Sequence, residues 1–333
     1  MQSAGHGHAL AGLMCWLHIM CSAVVLVAGI ELSPDFYAGT CPDVAGIVSR
    51  SIGASSAQSN VVAPSILRLF FHDALVQGCD ASILVSSTAD NEAEREFADN
   101  KSLRPEGFDA IERAKSEVEG ACPGVVSCAD ILALAARDAV VLTGGPNWRV
   151  LLGRQDGLTS SASSAEGKLP PATADVQQLT GIFSSIGLSP LDMVLLSGAH
   201  TIGFSHCNQF IDRLYNFGAI GASDPSLNAD FASTLKGECP NAGGDSATVV
   251  PFDVTSPFSF DNSYYVNLQS GKGLLFSDQV IFNDETTRDV VNQLASSSQG
   301  LFFDNFVNSM IALGNISSGL PGNIRRVCNT LNP

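Results

Sequence analysis

The stretch Ala63-Pro-Ser-Ile-Leu-Arg-Leu-Phe-Phe-His-Asp-Ala-Leu-Val-Gln-Gly-Cys-Asp-Ala-Ser82 gathers side chains that could do chemistry. If residues 63–73 are helical, Arg68, Phe71 and His72 fall at i, i+3 and i+4, on one face. A guanidinium, a flat ring and an imidazole then look into the same space, a set suited to acid–base work on a small polar substrate. Asp73, Val76, Gly78, Asp80 and Ser82 follow on a turn-rich loop. They offer hard oxygens, which suit a calcium ion. Taken alone, a histidine on an apolar helix is more often a core residue, and an arginine more often a surface charge. Context decides between the readings. That context is a second histidine segment, Leu195-Leu-Ser-Gly-Ala-His-Thr-Ile-Gly203.

The chain that must position these residues has 333 residues and 45% hydrophobic content, enough for a large core in one or two lobes. Its net charge of −16 argues against nucleic acid and against anionic membranes as partners. Residues 1–29 read as a secretory signal: Leu10 to Ala28 is apolar, and Val27-Ala-Gly29 offers small residues for cleavage. The segment carries His6 and His8 but no Lys or Arg, and an uncleaved anchor is the alternative. Residues 30–333 are expected to form one domain. Nine cysteines are present. Setting aside Cys15 and Cys21 leaves seven, which fits three disulfides and one thiol; spacing alone does not give the pairing. No Cys-x-x-Cys pair supports a metal cluster.

From Ile30 the pattern is helix-rich. The stretch 109–119 is amphipathic, with Ile111, Ala114 and Val118 on one stripe. The stretch 125–142 is apolar on most sides and reads as the most buried helix, stopped by Gly144-Gly-Pro146. Residues 148–157 read as irregular or briefly extended. Asp175 starts a helix ending near Gly187, and Ser189-Pro190 opens the next one with an N-cap and a first-turn proline. Further helices are expected over 208–215, 262–269, 284–296 and 302–313, with loop over 248–261. Phe302, Phe306 and Met310 are read as core.

With both histidine segments in view, the chain resembles the secreted plant (class III) haem peroxidases from about Leu32 to Cys328. Besides the two segments already quoted, the resemblance rests on Phe36-Tyr37 before Cys41-Pro42, Val126-Ser-Cys-Ala-Asp130, Gly153-Arg-Gln-Asp156, Phe260-Asp-Asn-Ser-Tyr-Tyr265 and Leu274-Leu-Phe-Ser-Asp278. It implies a mostly α-helical fold of two lobes, distal and proximal, with one haem b between them and two calcium ions. His200 would be the iron ligand, its other nitrogen held by Asp278, and Phe252 would pack on the ring. His72 would take a proton from hydrogen peroxide and return it to the leaving oxygen. Arg68 would stabilise the charge that builds as the O–O bond breaks. Phe71 would share their pocket, and Asn100 would accept from the far nitrogen of His72. Read alone, Asp278 would be a solvated turn residue, and Asp253 and Asp261 loop caps.

The resemblance assigns Asp73, Val76, Gly78, Asp80 and Ser82 to one calcium, with Glu94 behind them through water. It assigns Thr201, Asp253, Ser256, Ser259 and Asp261 to the second. It implies oxidation of small phenols by one-electron steps through a ferryl intermediate, with Pro170 lining the access site. Thr173 and Gln209 stand where some members carry aromatic residues. Roles in cell-wall phenolic or lignin metabolism and in oxidative stress follow. The protein is expected to be a monomer; with no long tail past Cys328 of the kind that routes some members to the vacuole, it is expected in the extracellular space or cell wall. Asn315-Ile-Ser317 is a better glycan acceptor than Asn100-Lys-Ser102.

The chain departs from the pattern at Ala74, where the family usually has a cysteine bonded to the one in Gly-Cys-Asp. The remaining pairs by family position are Cys41–Cys122, Cys128–Cys328 and Cys207–Cys239. Cys79 is left as a free thiol on a looser calcium loop, open to oxidation by peroxide. The missing bridge would have closed a loop of about six residues, worth roughly 2 kcal/mol. Three other readings compete: a haem and calcium binder with poor turnover, a calcium module without haem, and a catalase-like enzyme. The last is disfavoured because catalases use a tyrosine ligand and the His200 segment has none.

Overall fold

The computed structural model describes residues 31–241, 247–317 and 319–332. The signal-like segment 1–29, with Cys15 and Cys21, lies outside the described residues. The protein is mostly helical. α1 (Val44–Ser56), α2 (Val62–Val76), α3 (Pro105–Ala121) and α4 (Cys128–Leu142) form one packed group, with α2 along α4 and α1 against α3. α3 starts at a first-turn proline and buries Gly107, Ala110, Ile111, Ala114 and Val118. Gly107 permits the close crossing of α2: a Cβ there would lie 2.9 Å from the side chains of Leu69 and Ser65. The Ser127 hydroxyl caps α4 by accepting from the Asp130 amide at 3.1 Å, and nearly every residue from Cys128 to Val140 is buried.

The second group holds α5 (Val176–Ser185), α6 (Pro190–Ser197), α7 (Ile211–Tyr215), α8 (Ala229–Glu238), α9 (Ser263–Gln269), α10 (Phe276–Asn283), α11 (Glu285–Ser296) and α12 (Gln299–Gly314). α5 and α6 start at Asp175 and Ser189 as expected, and each start is closed by a capping box. β1 (Phe204–His206) and β2 (Val249–Pro251) pair antiparallel, Ser205 opposite Val250. A small satellite core of Phe210, Leu214, Phe231 and Leu235 sits beside this pair. The two groups meet where the chain leaving His200 crosses the start of α2: a Cβ on Gly203 would stand 3.1 Å from Cβ of Pro64.

Several sequence segments meet at one carboxylate. Asp130, fully buried, accepts from the Tyr37 hydroxyl at 2.8 Å, the Gly153 amide at 2.7 Å and the Arg154 guanidinium at 2.8 Å. Arg154 then donates to the Gly314 carbonyl at the end of α12. Phe36-Tyr37, Asp130 and Gly153-Arg154 are thus one structural tie.

The helices over 109–119, 125–142, 262–269, 284–296 and 302–313 are present, with ends shifted by a few residues. Two expectations differ. The helix read over 208–215 is only 211–215, because Cys207–Gln209 forms a 3-10 turn at a disulfide. The stretch 248–261, read as loop, contains β2, whose three residues are too few to show alternation. α1, α8 and α10 were not anticipated.

Candidate active site

α2 presents Arg68, Phe71 and His72 as the spacing requires. His72 is 7% exposed, and its Nδ1 lies 2.6 Å from the Asn100 carboxamide oxygen. An amide oxygen only accepts, so Nδ1 carries the proton and Nε2 is a free base. Burial lowers His72 to about 3, helped by the Arg68 cation and opposed by the Asn100 bond. Arg68 donates to the Asp99 carbonyl and the Ser102 hydroxyl, both at 3.0 Å. Burial lowers it to about 10, with Asp99 opposing, so it stays a cation at neutral pH. Phe71 stands edge-on to His72 and 5.9 Å from the Phe183 ring.

His200 lies on a 3-10 turn (Gly198–Thr201) that ends α6. Its Nδ1 is 2.8 Å from Oδ1 of Asp278, which is 2% exposed, while the Phe252 ring stacks on the imidazole at 4.0 Å and 3°. Asp278 sits in the first turn of α10, where its Oδ2 accepts the Leu275 amide at 2.9 Å. No hydrogen bond occupies the Nε2 of either histidine among the described residues. Gly198 lets this turn settle on its support: a Cβ there would lie 2.4 Å from the Tyr265 hydroxyl oxygen.

Two oxygen clusters flank the histidines. In the first, Asp73 Oδ2 accepts the Ala81 amide at 2.9 Å, Asp80 Oδ1 accepts the Ser82 amide at 2.9 Å, and the Ser82 hydroxyl donates to Glu94 at 2.8 Å. Glu94 Oε1 is buried without a partner. Burial, with the neighbouring carboxylates, raises Asp73 and carries Glu94 up to about 8. In the second, Asp253 Oδ2, the Ser259 carbonyl and Asp261 Oδ1 lie 3.3, 3.4 and 3.4 Å from the one Thr201 hydroxyl. One proton cannot serve three acceptors. The Ser256 hydroxyl is buried and unpartnered, and the Ser256 amide donates to Asp253 at 3.1 Å. Among the described residues no group of three or more His, Cys, Asp or Glu could hold a metal by themselves. The first cluster joins carboxylates with a hydroxyl, and the second joins carboxylates with hydroxyls and a main-chain carbonyl; hard oxygens of these kinds are calcium's preference.

The disulfides are Cys41–Cys122, Cys128–Cys328 and Cys207–Cys239, as the resemblance implied, and Cys79 is free. The expectation of an oxidisable thiol needs correction. Cys79 is 5% exposed, and burial pushes its thiol up to about 12, so the reactive thiolate is scarce. Nor is its loop untethered: the Cys79 amide donates to the Ile316 carbonyl at 2.9 Å, and the Gly157 amide to the Asp80 carbonyl at 2.8 Å.

A family model described as peroxidase matches residues 48–297. Peroxidase 51 of Arabidopsis thaliana is 47% identical over 92% of this chain and 94% of its own length. Peroxidase 55 of the same plant is 47% identical over 96% of each, and Peroxidase 66 of Zea mays 43% identical over 96% of this chain and 97% of its own. The chain belongs to the plant peroxidase family.

This peroxidase is therefore a haem enzyme that acts on hydrogen peroxide, with a donor as second substrate. Its residues fit the cofactor. His200 has its Nδ1 taken by Asp278 and its Nε2 open, and its side chain is 36% exposed although Asp278 beneath it is buried. The peroxidase also uses residues to which the sequence reading gave no role. The Tyr264 hydroxyl donates to Asp278 Oδ1 at 3.1 Å; burial and that carboxylate hold its phenol well above the usual range. Arg213, paired with Asp224 at 2.8 Å, donates to the carbonyls of Gly273, Leu274 and Leu275, and so pins the turn from which Asp278 rises. Asn267 donates to Asp253 at 2.8 Å. Tyr264 lay inside a quoted motif; nothing local marked Arg213.

Pro170 is half-buried, and Thr173 and Gln209 are exposed. The segment after Pro170 is tied to α10 through the Ser277 amide, which donates to the Ala172 carbonyl at 3.0 Å.

Proposed function

We propose that this peroxidase oxidises small phenolic donors by one-electron steps, using a haem b held between the α1–α4 group and the His200 side of the molecule. The observation that carries the reading is the symmetry of the two imidazoles. Each is fixed through Nδ1, by Asn100 or by Asp278, and each leaves Nε2 free.

Haem, when bound, would supply the redox chemistry that couples reduction of peroxide to oxidation of the donor. His200 Nε2 would hold that iron, and Asp278 would keep the ring in the right tautomer and give it anionic character. Phe252, stacked flat on the ring, would fix its rotation. On the other side His72 Nε2 takes a proton from one peroxide oxygen and returns it to the other, so the proton leaves with water. The low value of His72 keeps it neutral and ready to accept. Arg68, held in place by Asp99 and Ser102, faces the negative charge that grows on the departing oxygen. Phe71 supplies an apolar wall, and Pro170 would border the donor's approach.

Two calcium ions would complete the oxygen clusters: one at Asp73, Val76, Gly78, Asp80 and Ser82 with Glu94 behind, one at Thr201, Asp253, Ser256, Ser259 and Asp261. The unpartnered Glu94 and Ser256 oxygens support this. Residues 30–333 would work as one monomeric domain, secreted to the cell wall, in phenolic or lignin metabolism and the response to oxidative stress. No single helix among the described residues is long and apolar enough to cross a membrane.

The test is stopped-flow reaction of the haem-loaded protein with hydrogen peroxide and a phenolic dye. His72→Ala should slow the peroxide step on the order of 10²–10⁴-fold. A variant as fast as the parent would remove His72 from the reaction.

A further inference from the structure

Asp278 Oδ1 receives two donors. His200 Nδ1 approaches at 2.8 Å and the Tyr264 hydroxyl at 3.1 Å. The other oxygen, Oδ2, is occupied by the Leu275 amide at 2.9 Å. Tyr264 is 3% exposed, and its ring stands edge-on to His200 at 6.3 Å and packs on Tyr265 at 5.1 Å. A phenylalanine would fill the same space and make the same ring contacts. The hydroxyl is therefore surplus to packing, and among the described residues it bonds to the oxygen that also holds the imidazole.

We propose that Tyr264 is a positioning residue that tunes His200: its O–H competes with the imidazole N–H for one carboxylate oxygen and so limits the electron density Asp278 passes to the ring. The proposal rests on the reading of His200 as the iron ligand. A carboxylate oxygen shared by two donors gives less to each than one serving a single donor. Hydrogen bonding behind an axial ligand is one of the protein's levers on haem potential. Removing the phenol should strengthen the His200–Asp278 bond, make the imidazole a stronger donor and favour ferric over ferrous iron. Adding acidity to the phenol should do the reverse.

The experiment has a haem-free and a haem-loaded arm. In haem-free protein labelled at histidine nitrogen, Tyr264→Phe should move the His200 Nδ1 proton resonance downfield. In haem-loaded protein the same change should lower the ferric/ferrous midpoint potential. An outer-sphere effect on the order of tenfold corresponds to about 59 mV for one electron. Replacing all four tyrosines with 3-fluorotyrosine, which preserves size, should raise the potential of the parent but leave Tyr264→Phe unmoved. An unmoved resonance in Tyr264→Phe, or a potential that is unchanged or higher, overturns the proposal. Should that variant not fold, a fluorinated parent whose potential fails to rise overturns it. A parent that takes up no haem would instead sink the reading of His200, while the haem-free resonance would still judge whether the oxygen is shared.

Discussion

Asn100 joins His72 to Glu94. Its carboxamide oxygen lies 2.6 Å from His72 Nδ1, and its amide nitrogen donates to the Glu94 carbonyl at 2.8 Å. The base is thereby tied to the edge of the first oxygen cluster. Asn100→Ala should free the imidazole to rotate and change tautomer, slowing the peroxide step by roughly ten- to a hundredfold, the usual cost of an orienting partner. Rapid-mixing kinetics at saturating haem would measure it; an unaltered rate constant would show that the bond orients nothing.

The pH profile follows from His72. Burial first, and then Arg68, lower it to about 3. The base is neutral from pH 8 down to about 4, so the rate with peroxide should be flat there and fall as acid protonates the imidazole near pH 3. In the unfolded chain the same histidine takes its proton near about 6.5. Between those values the unfolded state binds a proton that the folded state refuses, so acid should also erode stability across that window. A rate that halves near pH 6.5 would contradict the desolvated environment.

Chelation should loosen both clusters. Asp73, Asp80 and Glu94 crowd one site, and three oxygens crowd Thr201 in the other. Dialysis against a chelator should lower Tm, and calcium should restore it, while magnesium, which demands a tighter octahedron, should restore it poorly. A melting curve indifferent to chelator would leave the clusters as hydrogen-bonded loops.

The cysteine chemistry is a count. Seven cysteines follow residue 29, and three disulfides use six of them. A thiol reagent should find no reactive group in the native mature protein and one after denaturation, because Cys79 is buried. A native protein that reacts at once would show the loop to be open.

Much of the site was legible in the sequence because it is local. Arg68, Phe71 and His72 are separated by helical spacing, and Thr201 follows His200 by one bond. Asp278 was legible only through its motif, since alone it reads as a turn residue. What escaped is tertiary. The Tyr264 hydroxyl finds Asp278 14 positions away, and Arg213 reaches carbonyls 60 to 62 positions on. The inertness of Cys79 depends on burial that no neighbour in sequence announces. The β1–β2 pair failed for a different reason: three residues cannot display a period of two convincingly.

The most direct measurement is haem titration of the parent and of His200→Ala, followed by absorption spectroscopy and dye oxidation with peroxide. The parent should bind one haem per chain and turn over the dye, and His200→Ala should lose haem affinity and activity by about ten- to a hundredfold or more. A His200→Ala protein that keeps haem and oxidises the dye at the parent's rate would contradict the assignment of His200 as the iron ligand.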